Sequence, residues 1–62
     1  MVYDKVVKLC RERDIPVTKL EDMAGLGHGT IGKWKNVDPK IGNVKKVANA
    51  LEVPVSYLLD ES

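Results

Sequence analysis

The 62-residue sequence is poor in the side chains that cross-link small proteins or hold metals. It has one cysteine, Cys10, and one histidine, His28. A lone cysteine cannot close an internal disulfide, and one cysteine with one histidine falls short of the three or four ligands of an ordinary zinc site. We therefore expect a reducing compartment, no metal or other cofactor, and a fold held together by a hydrophobic core.

Long apolar runs and catalytic residue sets are also missing. No run approaches the roughly 18 residues of a membrane span, and the opening Met-Val-Tyr-Asp-Lys is unlike a signal peptide. These absences favour a cytoplasmic protein without a membrane partner. The sequence shows no paired carboxylates and no nucleophile beside a base, so we expect neither enzymatic activity nor a small-molecule substrate.

The composition itself is that of an ordinary globular protein, with 44% hydrophobic and 31% charged residues. Such a balance is typical of chains that fold rather than of disordered ones. The short length allows one domain, residues 1–62. No strand pattern, repeat or low-complexity segment is apparent, and the fold class predicted below is all-helical.

Apolar spacing predicts a first helix over residues 2–13, with Cys10 in its buried stripe. A second helix follows, and its start has two interpretations. Pro16 before Val17 would begin it there, whereas the capping-box spacing of Thr18 and Glu21 would begin it later. Its expected buried stripe is Leu20, Met23 and Ala24, and Gly25 is expected to end it in the left-handed conformation.

Residues 27–36 are predicted to form a third helix, because Ile31 and Trp34 are an apolar pair at i, i+3. Gly29 and Gly32 argue against it, since each would cost roughly 1 kcal/mol relative to alanine inside a helix. A loop is therefore the alternative. We favour the helix because a loop would deprive Ile31 and Trp34 of a common face, and we expect Trp34 to pack in the core rather than stack on a base.

Two more helices are predicted in the last third of the chain. The clearest amphipathic pattern, at i, i+3, i+4 and i+7, consists of Val44, Val47, Ala48 and Leu51. Pro54 then breaks the chain, and residues 55–60 are predicted to form a short fifth helix. In it we assign Leu58 to the core, while Tyr57 and Leu59 are candidates for core closure or a dimer contact.

Charge is distributed unevenly along the chain. Residues 1–27 are neutral, residues 28–49 carry five lysines against one aspartate, and residues 50–62 carry three acids and no base. A run of lysines is often only a solvated face, but this one has a single acid in it. The excess favours a polyanionic partner for the middle of the chain. The acidic end would face away from that partner.

Several separated motifs together resemble one known family. The sequence is similar to the phage-repressor and Cro type of helix-turn-helix domain, the XRE family, over nearly its whole length. The residues that carry the resemblance are Leu20, Gly25, Leu26, Thr30-Ile31-Gly32-Lys33-Trp34, Val44-Lys45-Lys46-Val47-Ala48, Leu51, Val53 and Tyr57-Leu58-Leu59. The resemblance implies a bacterial or phage transcription regulator with a compact five-helix fold, in which helices 2 and 3 form the helix-turn-helix.

The resemblance also implies which residues would contact double-stranded operator DNA. The third helix would enter the major groove, where the base-reading residues would be His28, Gly29, Gly32 and Lys33. The DNA backbone would be contacted by Val17, Thr18, Lys19, Thr30, Lys35, Asn36, Lys40, Asn43 and Lys46. Because one recognition helix touches few base pairs, such a domain is expected to bind two half-sites as a homodimer.

The sequence departs from the family pattern at several of these positions. Val17 stands where many relatives have a phosphate-contacting glutamine, which leaves a backbone amide there. Glu21 replaces a small alanine between the two helices, and Ala24 replaces a leucine. Gly29 and Gly32 replace polar base-reading side chains, so few side chains are left for direct readout. The rival interpretation is a protein-interaction module, such as an antitoxin or antirepressor, built on the same fold.

Overall fold

A computed structural model describes residues 1–59 and consists of helices, with no strand in this range. The elements are α1 (Val2–Glu12), α2 (Val17–Ala24), the 3-10 helix η1 (Ile31–Lys35), α3 (Ile41–Leu51) and α4 (Val55–Leu59). The all-helical fold class is confirmed. The predicted count of five α-helices is not, because the third helical segment is of the 3-10 type. Asp60, the predicted last residue of the fifth helix, lies outside the described residues.

One hydrophobic core joins the five elements. Helix α1 packs on α2, α4 and η1, and α3 packs on α2 and α4. The buried core residues are Val6, Leu9, Cys10, Leu20, Ile31, Trp34, Val44, Val47, Ala48, Leu51 and Leu58. The core assignments of Cys10, Trp34 and Leu58 are therefore confirmed.

The predicted buried stripe of α2 is wrong at Met23, whose side chain is 49% exposed. The inward face of this helix instead carries Val17, Leu20, Glu21 and Ala24, which are spaced three and four residues apart. Met23 lies to one side of that row. A helix of eight residues has room for only one such row, and a glutamate occupies one of its places.

Three helices end with a residue in the left-handed conformation. These residues are Asp14 after α1, Gly25 after α2 and Glu52 after α3, with φ of 58°, 73° and 57°. In each case the next amide donates to a carbonyl five residues back: Ile15 N to Cys10 O at 2.8 Å, Leu26 N to Glu21 O at 2.8 Å, and Val53 N to Ala48 O at 3.0 Å. Gly25 ends α2 as predicted.

The start of α2 is also settled by its first turn. The helix begins at Val17 with Pro16 in the extended N-cap position, and no side chain caps it. The interpretation based on Pro16 is thus confirmed, and the capping box of Thr18 and Glu21 is wrong. Glu21 is turned into the protein and cannot reach back to the first turn.

The predicted α-helix over residues 27–36 is wrong. Gly29 has φ of +91°, which a right-handed helix cannot contain, so residues 28–30 form a turn. The helical segment begins only at Ile31 and is of the 3-10 type. Because a 3-10 helix has three residues per turn, Ile31 and Trp34 still share one face, and both are buried. The alternative interpretation, a loop, fits residues 28–30 but not the helical residues 31–35.

Candidate functional site

The turn between α2 and η1 is held on its core side by a buried carboxylate. Glu21 is 1% exposed, and its Oε2 accepts a hydrogen bond of 2.9 Å from the backbone N–H of Ile31. Ile31 is the first residue of η1 and has no side-chain cap of its own. The glutamate therefore satisfies a buried donor that would otherwise lack a partner.

A second contact spans the same turn on its outer side. His28 Nε2 lies 2.8 Å from Asp22 Oδ1, and both side chains are largely exposed. Asp22 belongs to the last turn of α2 and His28 to the turn before η1. The predicted base-reading histidine is thus already engaged with a residue that sequence reasoning did not include in the site.

A groove on the outer side of η1 is lined by residues of both predicted sets, the base-reading residues and the residues that contact the DNA backbone. It has a volume of about 310 Å³ and runs from η1 across the following loop to the start of α3. Its walls include Thr30, Lys33, Lys40 and Asn43. Lys33 is one of the predicted base-reading residues, and the other three are predicted to contact the DNA backbone. Trp34 lies at its base with the indole buried.

The groove lies in the part of the chain with the largest excess of lysines, and Lys33 and Lys40 are on its wall. All five lysines of residues 28–49 are exposed, and none forms an ion pair within residues 1–59: Lys33, Lys35, Lys40, Lys45 and Lys46. One carboxylate, Asp38, lies on the groove wall among them. Because ammonium groups close together reinforce each other's potential, the two lysines on the groove wall favour an anion there.

The start of α3, where Lys40 and Asn43 line the groove, also has backbone donors without a partner. Lys40 is the N-cap residue in an extended conformation, and no side chain caps the helix. Its carbonyl accepts the amides of Asn43 and Val44 at 3.0 and 3.1 Å. The amides of Ile41 and Gly42 make no hydrogen bond within the described residues. Free amides at a helix N-terminus, together with the helix dipole, suit a phosphate oxygen.

The remaining predicted residues do not all line the groove. Gly29, Gly32 and Asn36 are exposed but do not line it. Lys35 is directed towards α1, where its Nζ lies 5.6 Å from the centre of the Tyr3 ring. Lys46 lies further along α3, while Val17, Thr18 and Lys19 form the separate N-terminal turn of α2, which has no side-chain cap.

Other reactive groups of the chain lie away from this groove. Cys10 is a free, buried thiol in the core, and desolvation by burial raises its pKa above the ordinary value. Within residues 1–59, no three histidine, cysteine or acidic side chains come together as metal ligands would. The described helices include none that is both long and apolar enough to cross a membrane.

The position of Glu21 had a signal in the sequence, whereas the Asp22–His28 contact had none. Glu21 follows Val17 by four residues and precedes Ala24 by three, which places it on the apolar row of α2. The Asp22–His28 contact depends on the turn geometry, which the sequence pattern does not specify.

No protein-family model, curated protein or solved structure matches this chain.

Proposed function

We propose that this chain is a sequence-specific DNA-binding transcriptional regulator of the repressor or Cro type. The observation that carries the proposal is the groove between η1 and the start of α3, where exposed lysines without ionic partners flank free helix amides. Polyanionic backbones are bound by such groups, and their number sets the salt dependence of binding.

In this proposal the two walls of the groove have different tasks. The turn of residues 28–30 and η1 approach the major groove, so that His28 and Lys33 reach base edges. Lys33 carries donors for guanine O6 and N7. Lys40 and the amides of Ile41 and Gly42 hold a phosphate, which fixes the register without reading sequence. Exposed Gly29 and Gly32 present only backbone to the bases.

A short 3-10 helix in place of a longer recognition helix reduces the number of side chains that one copy brings to DNA. Five residues of η1 include one lysine, Lys33, on the groove wall. A homodimer bound to two half-sites about one helical turn apart would double this set. We therefore propose that the protein acts on its operator as a dimer.

The second candidate function is a protein-interaction module, and a second groove with exposed apolar side chains favours it. This groove of about 250 Å³ lies between α1, α3 and α4, and its lining includes Val2, Asp38, Pro39, and the exposed side chains of Ile41 and Leu59. Binding of a protein partner there would bury apolar surface and would persist at high salt. DNA binding through the lysine side chains would not persist at high salt.

Fluorescence anisotropy of a labelled random-sequence duplex, titrated at two salt concentrations, tests the proposal. We expect micromolar binding that weakens steeply with salt. Lys40→Ala should weaken binding to every duplex and reduce the salt slope by about one unit, whereas Lys33→Ala should change sequence preference. Lys8→Ala, an exposed lysine of the neutral segment, is the matched control and should have little effect on either.

Two results would contradict this assignment. Equal effects of Lys33→Ala and Lys40→Ala on all duplexes would show that the two lysines do not differ as proposed, with Lys33 reading bases and Lys40 binding a phosphate. Absence of any duplex binding at low salt and high protein concentration would exclude DNA as the partner. A protein partner at the groove between α1, α3 and α4 would then become the leading candidate.

A further inference from the structure

The single histidine of the chain has a defined hydrogen-bonding state when its ring is neutral. Its Nε2 is 2.8 Å from Asp22 Oδ1, and the two side chains are 63% and 68% exposed. An ionised carboxylate can only accept hydrogen bonds. The proton of a neutral His28 ring must therefore be on Nε2, where it is donated to Asp22.

This arrangement leaves the pair with acceptors only. In the neutral ring, Nδ1 carries a lone pair and no proton. Within residues 1–59 neither Nδ1 of His28 nor Oδ2 of Asp22 makes a hydrogen bond. The edge formed by these two side chains thus offers lone pairs and no free N–H group.

The four bases differ in whether they present a hydrogen-bond donor in the major groove that could pair with these acceptor atoms. Cytosine presents its N4 amino group and adenine its N6 amino group, whereas guanine presents O6 and N7 and thymine presents O4, all of them acceptors. Two acceptors brought together without a proton repel each other, and both lose their water. An acceptor edge therefore selects against guanine and thymine.

We infer that Asp22 and His28 form a specificity-determining pair that reads the exocyclic amino group of adenine or cytosine. The inference rests on the proposed DNA binding and names the base chemistry that this part of the site takes. His28 contacts the base, and Asp22 acts as a positioning residue that fixes the tautomer and orientation of the ring. Lys33, which has only donors, would read a guanine at a different position.

The charge of Asp22 gives the inference a second consequence. A carboxylate on a DNA-facing surface lowers the attraction for phosphates. Removing it in Asp22→Ala should therefore strengthen binding to random duplex while relaxing sequence preference. A residue with a merely structural role would not produce opposite changes in these two quantities.

The test is selection from a randomised duplex pool at pH 8.5. Wild-type protein, Asp22→Ala and His28→Ala are compared, with Glu12→Ala as the control for loss of an exposed acid. We expect wild-type sites to carry adenine or cytosine at one position where both Asp22→Ala and His28→Ala lose the preference. Purine or 2-pyrimidinone, which lack the amino group, is then placed at that position in a selected site. Wild-type binding should fall about tenfold and His28→Ala binding should not change.

Nitrogen-15 NMR of the free protein tests the tautomer without DNA, and the single histidine makes the assignment unambiguous. We expect the neutral ring to be protonated at Nε2, and a ring protonated at Nδ1 overturns the inference. Guanine or thymine at the His28-dependent position, or wild-type selectivity in both variants, also overturns it while leaving DNA binding intact. If wild-type protein binds no duplex, the proposed function fails and this inference fails with it.

Discussion

Replacing Glu21 should destabilise the protein through one hydrogen bond. In Glu21→Ala the amide of Ile31 loses its acceptor, and Ile31 is fully buried. A stranded buried donor costs about 1–3 kcal/mol, and the lost methylene adds about 0.8 kcal/mol. The variant also loses the cost of keeping the Glu21 carboxylate out of water, which offsets part of this sum. We expect the free energy of unfolding to fall by about 2 kcal/mol.

Two further variants separate the hydrogen bond from packing. Glu21→Gln keeps an acceptor oxygen and nearly the same volume, so it should cost less than about 1 kcal/mol. Glu21→Met keeps the volume without an acceptor and should resemble Glu21→Ala more closely than Glu21→Gln. For a domain of this size, 2 kcal/mol corresponds to a fall in melting temperature of about 10–15 °C.

Urea unfolding followed by the fluorescence of Trp34, the one tryptophan, measures these differences, because its indole is buried in the core. Faster exchange of the Ile31 amide in Glu21→Ala than in Glu21→Gln would locate the effect at η1. Equal stability of the alanine and glutamine variants would refute the reasoning. It would mean that the Ile31 amide finds another partner, or that the hydrogen bond contributes nothing net.

Two further predictions concern the helix ends and the core. Glu52→Gly should stabilise the fold by up to about 1 kcal/mol in thermal unfolding, because glycine avoids the strain of a left-handed residue; Asp14→Gly should gain less, since aspartate tolerates that conformation better. A loss of stability in Glu52→Gly would contradict this. Cys10 should react with iodoacetamide at pH 8 much more slowly in the folded protein than in urea, because it is buried and its raised pKa keeps the thiol protonated. Equal rates in the two states would show that the thiol is accessible.

Sequence periodicity predicted α1 and α3 well, because their buried residues repeat over about three turns. It failed between residues 27 and 36, where an i, i+3 pair such as Ile31 and Trp34 fits an α-helix and a 3-10 helix equally. The backbone angle of Gly29 decides between them, and an angle of this kind is not encoded in apolar spacing.

The candidate site was predicted less completely than the core. The excess of lysines in residues 28–49 is visible in the sequence, and the structure gathers Lys33 and Lys40 on one groove. Burial of Glu21 was not predicted, because a glutamate in an amphipathic helix is normally assigned to solvent: the sequence suggested a capping box with Thr18 and a departure from a family pattern. The partner of His28 required the turn geometry. DNA binding itself stays a prediction.

The exposed glycines Gly29 and Gly32 differ in which substitutions they tolerate. Gly29 has φ of +91°, so any side chain introduced there is strained, and a library at this position should return mostly glycine. Gly32 has no such angle, and a Cβ added to it meets no atom within 4 Å. A side chain can therefore be added at position 32 without a clash. Under the proposed DNA-binding function, position 32 is the one to vary and position 29 is the one to keep as glycine.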